Sequence, residues 1–208
     1  MKAAVYRGEG KPLVIESLPD PEPGRGDLLL KVHRCGICGT DLTMTKGTQW
    51  DFPAGSVPGH EYAGEVVAVG SDVTGFNVGD KITSLPSSGC GSIECLACKV
   101  GNLTLCRDAG GVMGGYGEYI AVSQKVAVKL PSVLSLADGA LVEPLAVGLY
   151  GVRQATIRPG ANVLVMGGGT VALSTIYWAR RLGAGKIVAI SRSARRKDLA
   201  LQFGADAF

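Results

Sequence analysis

Long apolar runs are missing from this 208-residue chain, and no stretch approaches the eighteen or so consecutive apolar residues of a membrane-spanning helix. No leader is expected either. The opening MKAAVYRGEGKPL has no long apolar centre and no small-residue cleavage site, so we expect no export signal and a cytoplasmic, reducing setting. Charge of one sign is also scarce. A net charge of +3, with basic residues spread out until the last thirty positions, is too weak for a nucleic-acid partner. Histidine is rarest of all the polar residues that matter here, with only His33 and His60. What the chain does have is glycine and clustered cysteine. Its 31 glycines are roughly twice the usual share of about 7%. Such a chain turns often, as β-barrels and glycine-rich ligand loops do. The hydrophobic content of 46% is that of an ordinary soluble globular protein. Cysteines stand at 35, 38, 90, 95, 98 and 106. In a reducing compartment, clustered cysteines more often hold metal than form disulfides.

Two halves read differently. Up to about residue 132 the chain consists of short apolar or alternating segments: KAAVY, PLVIESL, DLLLKVHRC, YAGEVVAVG, KITSL, GEYIAV and KVAVKLP. Turn-rich stretches such as PDPEPGRGD, PAGSVPGH and GSDVTGFNVGD separate them. That pattern predicts a β-barrel or sandwich. After Pro131 the spacing becomes helical through SLADGALVEPLAVGLYGVRQA, with Ser135 or Asp138 as cap. A strand (NVLVM), a glycine turn, a helix to about Leu182, a strand (KIVAI) and a helix from Ala194 to Phe203 follow, and a third strand begins at the end. This is a βαβ unit of a parallel sheet. The expected division is residues 1–150 and 151–208. Two strands and two helices cannot cover both faces of a doubly wound sheet, so the chain reads as a fragment of a longer protein.

CGICGTD at 35–41 and GHE at 59–61 bring together donors for one metal ion. A catalytic zinc takes about three protein ligands from S, N and O and keeps one position open. Cys38, His60 and Glu61 are such a set, although any one of them alone reads more readily as a buried core residue. Asp41 is placed to accept the second ring N–H of His60, and the Thr40 hydroxyl to pass on a proton. Glu143, in the apolar run LADGALVEPLAVGLY, is a further carboxylate whose burial a cation would relieve. A solvent-facing helix position is the alternative for it. His33 reads as structural, and a Cys35/Cys38 redox pair is disfavoured because no thioredoxin-like βαβ follows it. Downstream, Cys90, Cys95, Cys98 and Cys106 form C-x4-C-x2-C-x7-C, which closes a tetrahedral zinc site with no open position. Such a site is structural and adds folding free energy.

VLVMGGGTVA carries Gly167, Gly169 and Ala172 as G-x-G-x-x-A between a strand and a helix, which is a dinucleotide fingerprint in its proper setting. Gly167 to Gly169 give the turn and the close approach of backbone to pyrophosphate. Thr170 and Val171 present helix N-terminal N–H groups. The second strand ends without the acidic residue that grips a ribose 2′-OH in NAD enzymes. Ser191, Arg192 and Arg196 stand there instead, and arginine pairs with a 2′-phosphate. NADP is therefore preferred over NAD, with a solvated basic helix start as the bland alternative.

HRCGICGTDLT, VPGHEYAGEVVAVGSDVTGFNVGDKI, the four-cysteine loop, VEPLAV and VLVMGGGTVA occur in the order seen in the zinc-dependent medium-chain alcohol dehydrogenases, which the whole chain resembles. Glutamate in VEPLAV is similar to the polyol and threonine dehydrogenase branch. The resemblance implies a fold of class β + α/β: a GroES-like β-barrel catalytic domain followed by an incomplete Rossmann domain. It also implies a catalytic zinc on Cys38 and His60, completed by Glu61 or Glu143, with Thr40 as proton relay. A small-molecule alcohol as substrate and a homo-oligomer at full length are further implications. Trp50, Asp51 and Phe52 are candidate pocket residues. One departure stands out: the family's zinc loop usually reads C-x2-C-x2-C-x7-C, so two extra residues make this loop bulge. The rival reading is a non-catalytic, zinc-stabilised structural or binding module with a vestigial nucleotide fold. Retention of Cys38, His60 and Glu61 argues against it.

Overall fold

The computed structural model describes residues 1–47, 53–90 and 92–208. In chain order its elements are β1 (Lys2–Val5), β2 (Val14–Ser17), β3 (Asp27–Cys35), α1 (Gly39–Thr45), β4 (Tyr62–Val69), β5 (Lys81–Ser84), β6 (Ser87–Ser88), α2 (Leu96–Lys99), β7 (Gly110–Gly111), β8 (Tyr119–Ser123) and β9 (Ala127–Lys129). Then follow α3 (Leu136–Gly139), α4 (Val142–Gln154), β10 (Asn162–Met166), α5 (Thr170–Arg181), β11 (Lys186–Ile190) and α6 (Lys197–Gln202). None of the described helices is long and apolar enough to cross a membrane.

The chain divides into two compact units, Met1–Glu143 and Pro144–Phe208. The division lies inside α4, earlier than the boundary at 150 read from the sequence. The helical pattern after Pro131 is in fact two helices. Within the second one, Leu145 and Val152 already belong with the later elements.

In the first unit, β8, β3, β4, β5 and β9 form one antiparallel sheet in that order. Alternation explains the strands. In β3, Leu28 and Leu30 are buried, and in β8 Ile120 and Val122 are buried, so each strand gives one face to the core. Those four pack with Tyr62, Val66, Ile82 and Val126. The pairing of β3 with β4 shifts register at Val32/Arg34, which leaves His33 out of the ladder on an exposed bulge. The hairpin β1–β2 forms a separate pair, tied to the rest by a bridge from Ala3 to Gly117.

Helix α1 is not legible as a helix, because GTDLTMT carries three threonines and no apolar periodicity. It forms because it is capped from outside the pattern. The Cys38 sulfur accepts the Thr40 N–H at 3.4 Å, and the Asp41 carboxylate takes the Cys38 N–H at 2.9 Å. This is a reciprocal capping box with cysteine in the usual place of serine. Ser135 and Asp138 make the same reciprocal cap on α3.

In the second unit, β10 and β11 pair in parallel from Asn162↔Lys186 to Met166↔Ile190, with α5 as the crossover. Ala207 bridges Val188 in parallel, at the place where the sequence begins a third strand. Ile176, Ala179, Ile187 and Ala189 are fully buried at the centre of this unit. Helices α4 and α5 meet very closely. A Cβ on Gly148 would collide with the Ser174 side chain. That closeness lets Ser174 Oγ donate to the Leu145 carbonyl at 3.0 Å and Trp178 Nε1 donate to the same oxygen at 2.9 Å.

Ile82 is 0% exposed in an inner strand of the first sheet. Ile82→Ala is expected to lower unfolding free energy by about 2–5 kcal/mol, the usual range for emptying such a site. Urea titration of the zinc-loaded chain reads this.

Candidate metal and nucleotide sites

Strand β3 ends at Cys35 and β4 begins at Tyr62, and these two residues are register partners. The loop after β3 and the loop before β4 therefore leave the sheet at the same end. Cys38 caps α1 in the first loop; His60 and Glu61 close the second. Residues far apart in sequence thereby converge, and the ligating atoms of Cys38, His60 and Glu61 all lie within 4.8 Å of one another. The turn into His60 depends on Gly59. Its φ is 93°, and a Cβ there would strike the Tyr116 ring and the Cys35 sulfur.

Asp41 lies beneath this group, 3% exposed. Its Oδ2 accepts the Cys38 N–H at 2.9 Å and the Tyr116 hydroxyl at 2.8 Å. Its Oδ1 stands 3.5 Å from His60 Nδ1, beyond hydrogen-bond length, and both of these atoms are buried with no other partner. Burial alone would raise the Asp41 pKa. The pull of His60 and the bonds from Cys38 and Tyr116 outweigh it and hold the carboxyl below its ordinary value. Conversely, Asp41 raises His60 against the opposing effect of burial. With Nδ1 turned to the carboxylate, Nε2 is the nitrogen free to meet a ligand. Burial pushes the Cys38 thiol up, partly offset by the Thr40 N–H and hydroxyl. Burial also pushes Glu143 up, with His60 opposing and Glu61 and Asp41 adding to the rise. Glu143 is thus within electrostatic reach of the group but is not one of the three converging donors. A half-buried thiol, an imidazole with a fixed second nitrogen and a carboxylate suit a zinc ion with one open position.

The four cysteines converge as well, with all sulfurs within 4.8 Å of one another. Cys90 and Cys98 sulfurs are 3.8 Å apart, Cys95 and Cys106 sulfurs 3.9 Å, and none is in a disulfide. A zinc with Zn–S bonds of about 2.3 Å sets its tetrahedral S–S edges at about 3.8 Å. The two extra residues of the loop are absorbed in a turn, where Cys95 N–H reaches the Ser92 carbonyl at 3.2 Å and Glu94 N–H reaches Ser92 Oγ at 3.1 Å. The Cys90 N–H donates to the Cys106 sulfur at 3.3 Å, which heads the causes that bring that thiol down to about 7. The expected bulge is therefore compatible with closure of the site.

In the second unit, Gly167, Gly168, Gly169, Ser191 and Arg192 line an open cleft of about 570 Å³ together with Met166 and Ile190. Gly167 has φ 140°, and its N–H returns to the Ile190 carbonyl at 2.8 Å. Gly169 caps α5, so Thr170 and Val171 sit at the helix N-terminus. Arg196 Nη1 donates to the Gly168 carbonyl at 3.3 Å, on the wall of the same cleft.

Other sequence candidates fall elsewhere. His33 stays on its bulge and joins neither cluster. Cys35 is a free thiol pushed up to about 12, chiefly by burial, which is the opposite of a reactive redox cysteine. Trp50, Asp51 and Phe52 lie outside the described residues. One contributor went unread in the sequence: Tyr116, whose hydroxyl reaches Asp41. The only signal for it was an aromatic set among glycines in GGYGEY.

With its pKa raised, Cys38 is a thiol at neutral pH, and a metal must displace its proton. Zinc loading of this site is expected to release protons, and affinity is expected to fall about tenfold for each unit of pH lost per proton displaced. Calorimetry in buffers of differing ionisation enthalpy counts the protons.

Residues 24–132 match the family model described as the alcohol dehydrogenase GroES-like domain. The chain is 36% identical over 213 residues to the sorbitol dehydrogenase of Bacillus subtilis (strain 168), covering 99% of this chain and 60% of the relative. It is 32% identical to an L-threonine 3-dehydrogenase of Alteromonas mediterranea, covering 99% of this chain and 61% of that protein. Among solved structures, a candidate zinc-binding dehydrogenase from Sinorhizobium meliloti 1021, bound to NADP, superposes with a TM-score of 0.90 at 37% identity over 99% of this chain and 60% of its own. Galactitol-1-phosphate dehydrogenase from Escherichia coli gives 0.90 at 31% identity, over 100% of this chain and 60% of its own. The chain thus spans about 60% of the length of the curated relatives it matches. A GroES-like barrel unit carrying two cysteine-based metal constellations, followed by the opening of a Rossmann unit, places this chain in the zinc-dependent medium-chain alcohol dehydrogenase family.

Proposed function

We propose that the complete protein is an oxidoreductase that moves a hydride between a secondary alcohol or polyol and a nicotinamide cofactor, NADP in preference to NAD. The convergence of Cys38, His60 and Glu61 within 4.8 Å carries this reading, because a purely structural scaffold has no use for a three-donor site with a free position. A zinc ion held there supplies Lewis acidity to the substrate alcohol. Cys38, His60 and Glu61 hold that ion, with Asp41 fixing the ring of His60. Glu143 is the reserve carboxylate within electrostatic reach. The Thr40 Oγ1, half-buried beside the Cys38 sulfur, would relay the proton of the alcohol toward solvent, accepting it as its own hydroxyl proton passes on. Cys90, Cys95, Cys98 and Cys106 hold a second, closed zinc that stabilises their loop.

The nucleotide reading rests on the second unit by itself. The N–H groups of Gly168 to Val171 cradle the pyrophosphate at the start of α5. Ser191 and Arg192 line the cleft at the end of β11 and Arg196 reaches its wall, and their donors would suit a ribose 2′-phosphate held there. The similar structure from Sinorhizobium meliloti was solved bound to NADP, which supports a nicotinamide cofactor of this kind. The substrate class follows the sorbitol and threonine dehydrogenases among the relatives.

In the complete protein, Cys38→Ser and His60→Ala are each expected to reduce alcohol oxidation to background in a panel of secondary alcohols and polyols. Turnover that survives either change would sink the zinc reading. Replacing Arg192 and Arg196 by alanine should weaken NADP about tenfold to a hundredfold, the worth of one or two charge-assisted bonds, and leave NAD nearly unchanged. A native preference for NAD in steady-state kinetics would overturn the assignment.

A further inference from the structure

Among the groups around the three-donor site, Tyr116 is the one whose position neither composition nor spacing explains. The segment that carries it is clamped onto the turn leading to His60. Gly114 N–H and Gly115 N–H both reach the Gly59 carbonyl, at 3.1 and 2.9 Å, and Tyr116 N–H reaches the Pro58 carbonyl at 3.0 Å. On its other side, the Tyr116 carbonyl accepts the Ala4 N–H from β1 at 3.0 Å. The backbone is therefore fixed on both flanks, which sets the point from which the ring projects. Gly59 leaves space for that ring where any side chain would strike it. The hydroxyl then ends 2.8 Å from Asp41 Oδ2.

The direction of this bond matters. Asp41 has two oxygens and three neighbours. The Cys38 N–H and the Tyr116 hydroxyl both occupy Oδ2, and Oδ1 is left facing His60 Nδ1. Without Tyr116, one donor of fixed geometry remains on Asp41, and it belongs to the helix cap. The carboxylate is then free to rotate toward the cap, and Oδ1 no longer has to face the imidazole. His60 loses what keeps its Nδ1 turned away from the ligand cluster.

We propose that Tyr116 is a positioning residue of the three-donor metal site: its hydroxyl orients the Asp41 carboxylate, and through it the His60 ring, so that Nε2 meets the ion. This rests on the reading of Cys38, His60 and Glu61 as a zinc site. Tyr116 itself touches neither the ion nor the substrate. Partners that orient a metal-bound histidine through its second nitrogen are typically worth about tenfold to a hundredfold in metal affinity. Tyr116 is placed one bond further out, so its effect belongs near the lower figure.

The test uses the chain as it stands and reads metal, not turnover. Zinc is withdrawn with a graded chelator, and Tyr116→Phe and Asp41→Asn are compared with the native chain. The four-cysteine zinc serves as an internal control for folding. The expected result is that both variants keep that zinc as the native chain does, yet release the other zinc at chelator strengths about tenfold lower. Cobalt in the three-donor site should also show shifted visible bands in Tyr116→Phe, as a changed imidazole orientation alters the ligand field. Should Tyr116→Phe also lose the four-cysteine zinc, the hydroxyl acts on folding and not selectively on the three-donor site, and the proposal is overturned. Failure of both variants to change that site selectively overturns the proposal. If Asp41→Asn weakens the site and Tyr116→Phe leaves affinity and spectrum unchanged, Tyr116 has no such role although the metal site stands. If the native chain binds only one zinc, the proposal falls together with the site on which it rests.

Discussion

A carboxylate that is 3% exposed must be answered from inside the protein, because an unpaired buried charge costs several kcal/mol or neutralises itself. Asp41 is answered three times. The backbone of Cys38 gives it a hydrogen bond, Tyr116 gives a second, and the His60 ring faces it at 3.5 Å. Each answer fixes a different part of the molecule. The first starts helix α1 and holds Cys38 at its cap. The second ties the Gly114–Tyr116 segment to the inside of the unit. The third turns a ring so that one nitrogen is left over. The three-donor site is thus organised by a residue that is not one of its donors.

The two metal constellations differ in how they are built, and the difference follows their chemistry. The four cysteines sit on one short loop, and their S–S spacing of 3.8 and 3.9 Å already matches the edges of a tetrahedron around zinc. Local sequence is enough to assemble them. The other three donors come from two loops and depend on the register of β3 with β4, through Cys35 and Tyr62. That site exists only once the sheet has formed. It is therefore exposed to errors of strand pairing, since a one-residue slip would turn every side chain of β4 to the other face.

Much of this was readable in the residues, and the exceptions have physical causes. The long strands and the βαβ order were legible because Leu28/Leu30, Ile120/Val122 and the NVLVM and KIVAI runs carry clean patterns of burial. Both donor groups were legible because their residue types are rare or clustered. Helix α1 was hidden because its stability comes from a cap made by Cys38 and Asp41 and not from periodicity. Tyr116 was hidden because its partner is 75 positions away, and no local signal reports a bond of that range. The boundary at Glu143 was hidden for a related reason: one continuous helix, α4, serves two units, and helical spacing carries no mark of where its allegiance changes.

The contact between Gly148 and Ser174 has a consequence for how the second unit tolerates change. One carbonyl oxygen, that of Leu145, is shared by a hydroxyl and an indole from the neighbouring helix. The missing Cβ at Gly148 acts as a spacer gauge: it sets the separation at which both donors reach. Adding a single methyl group there would part the helices and strand Ser174 and Trp178 together. A substitution that looks minor on paper would act on three residues at once, and the loss would not divide into independent shares.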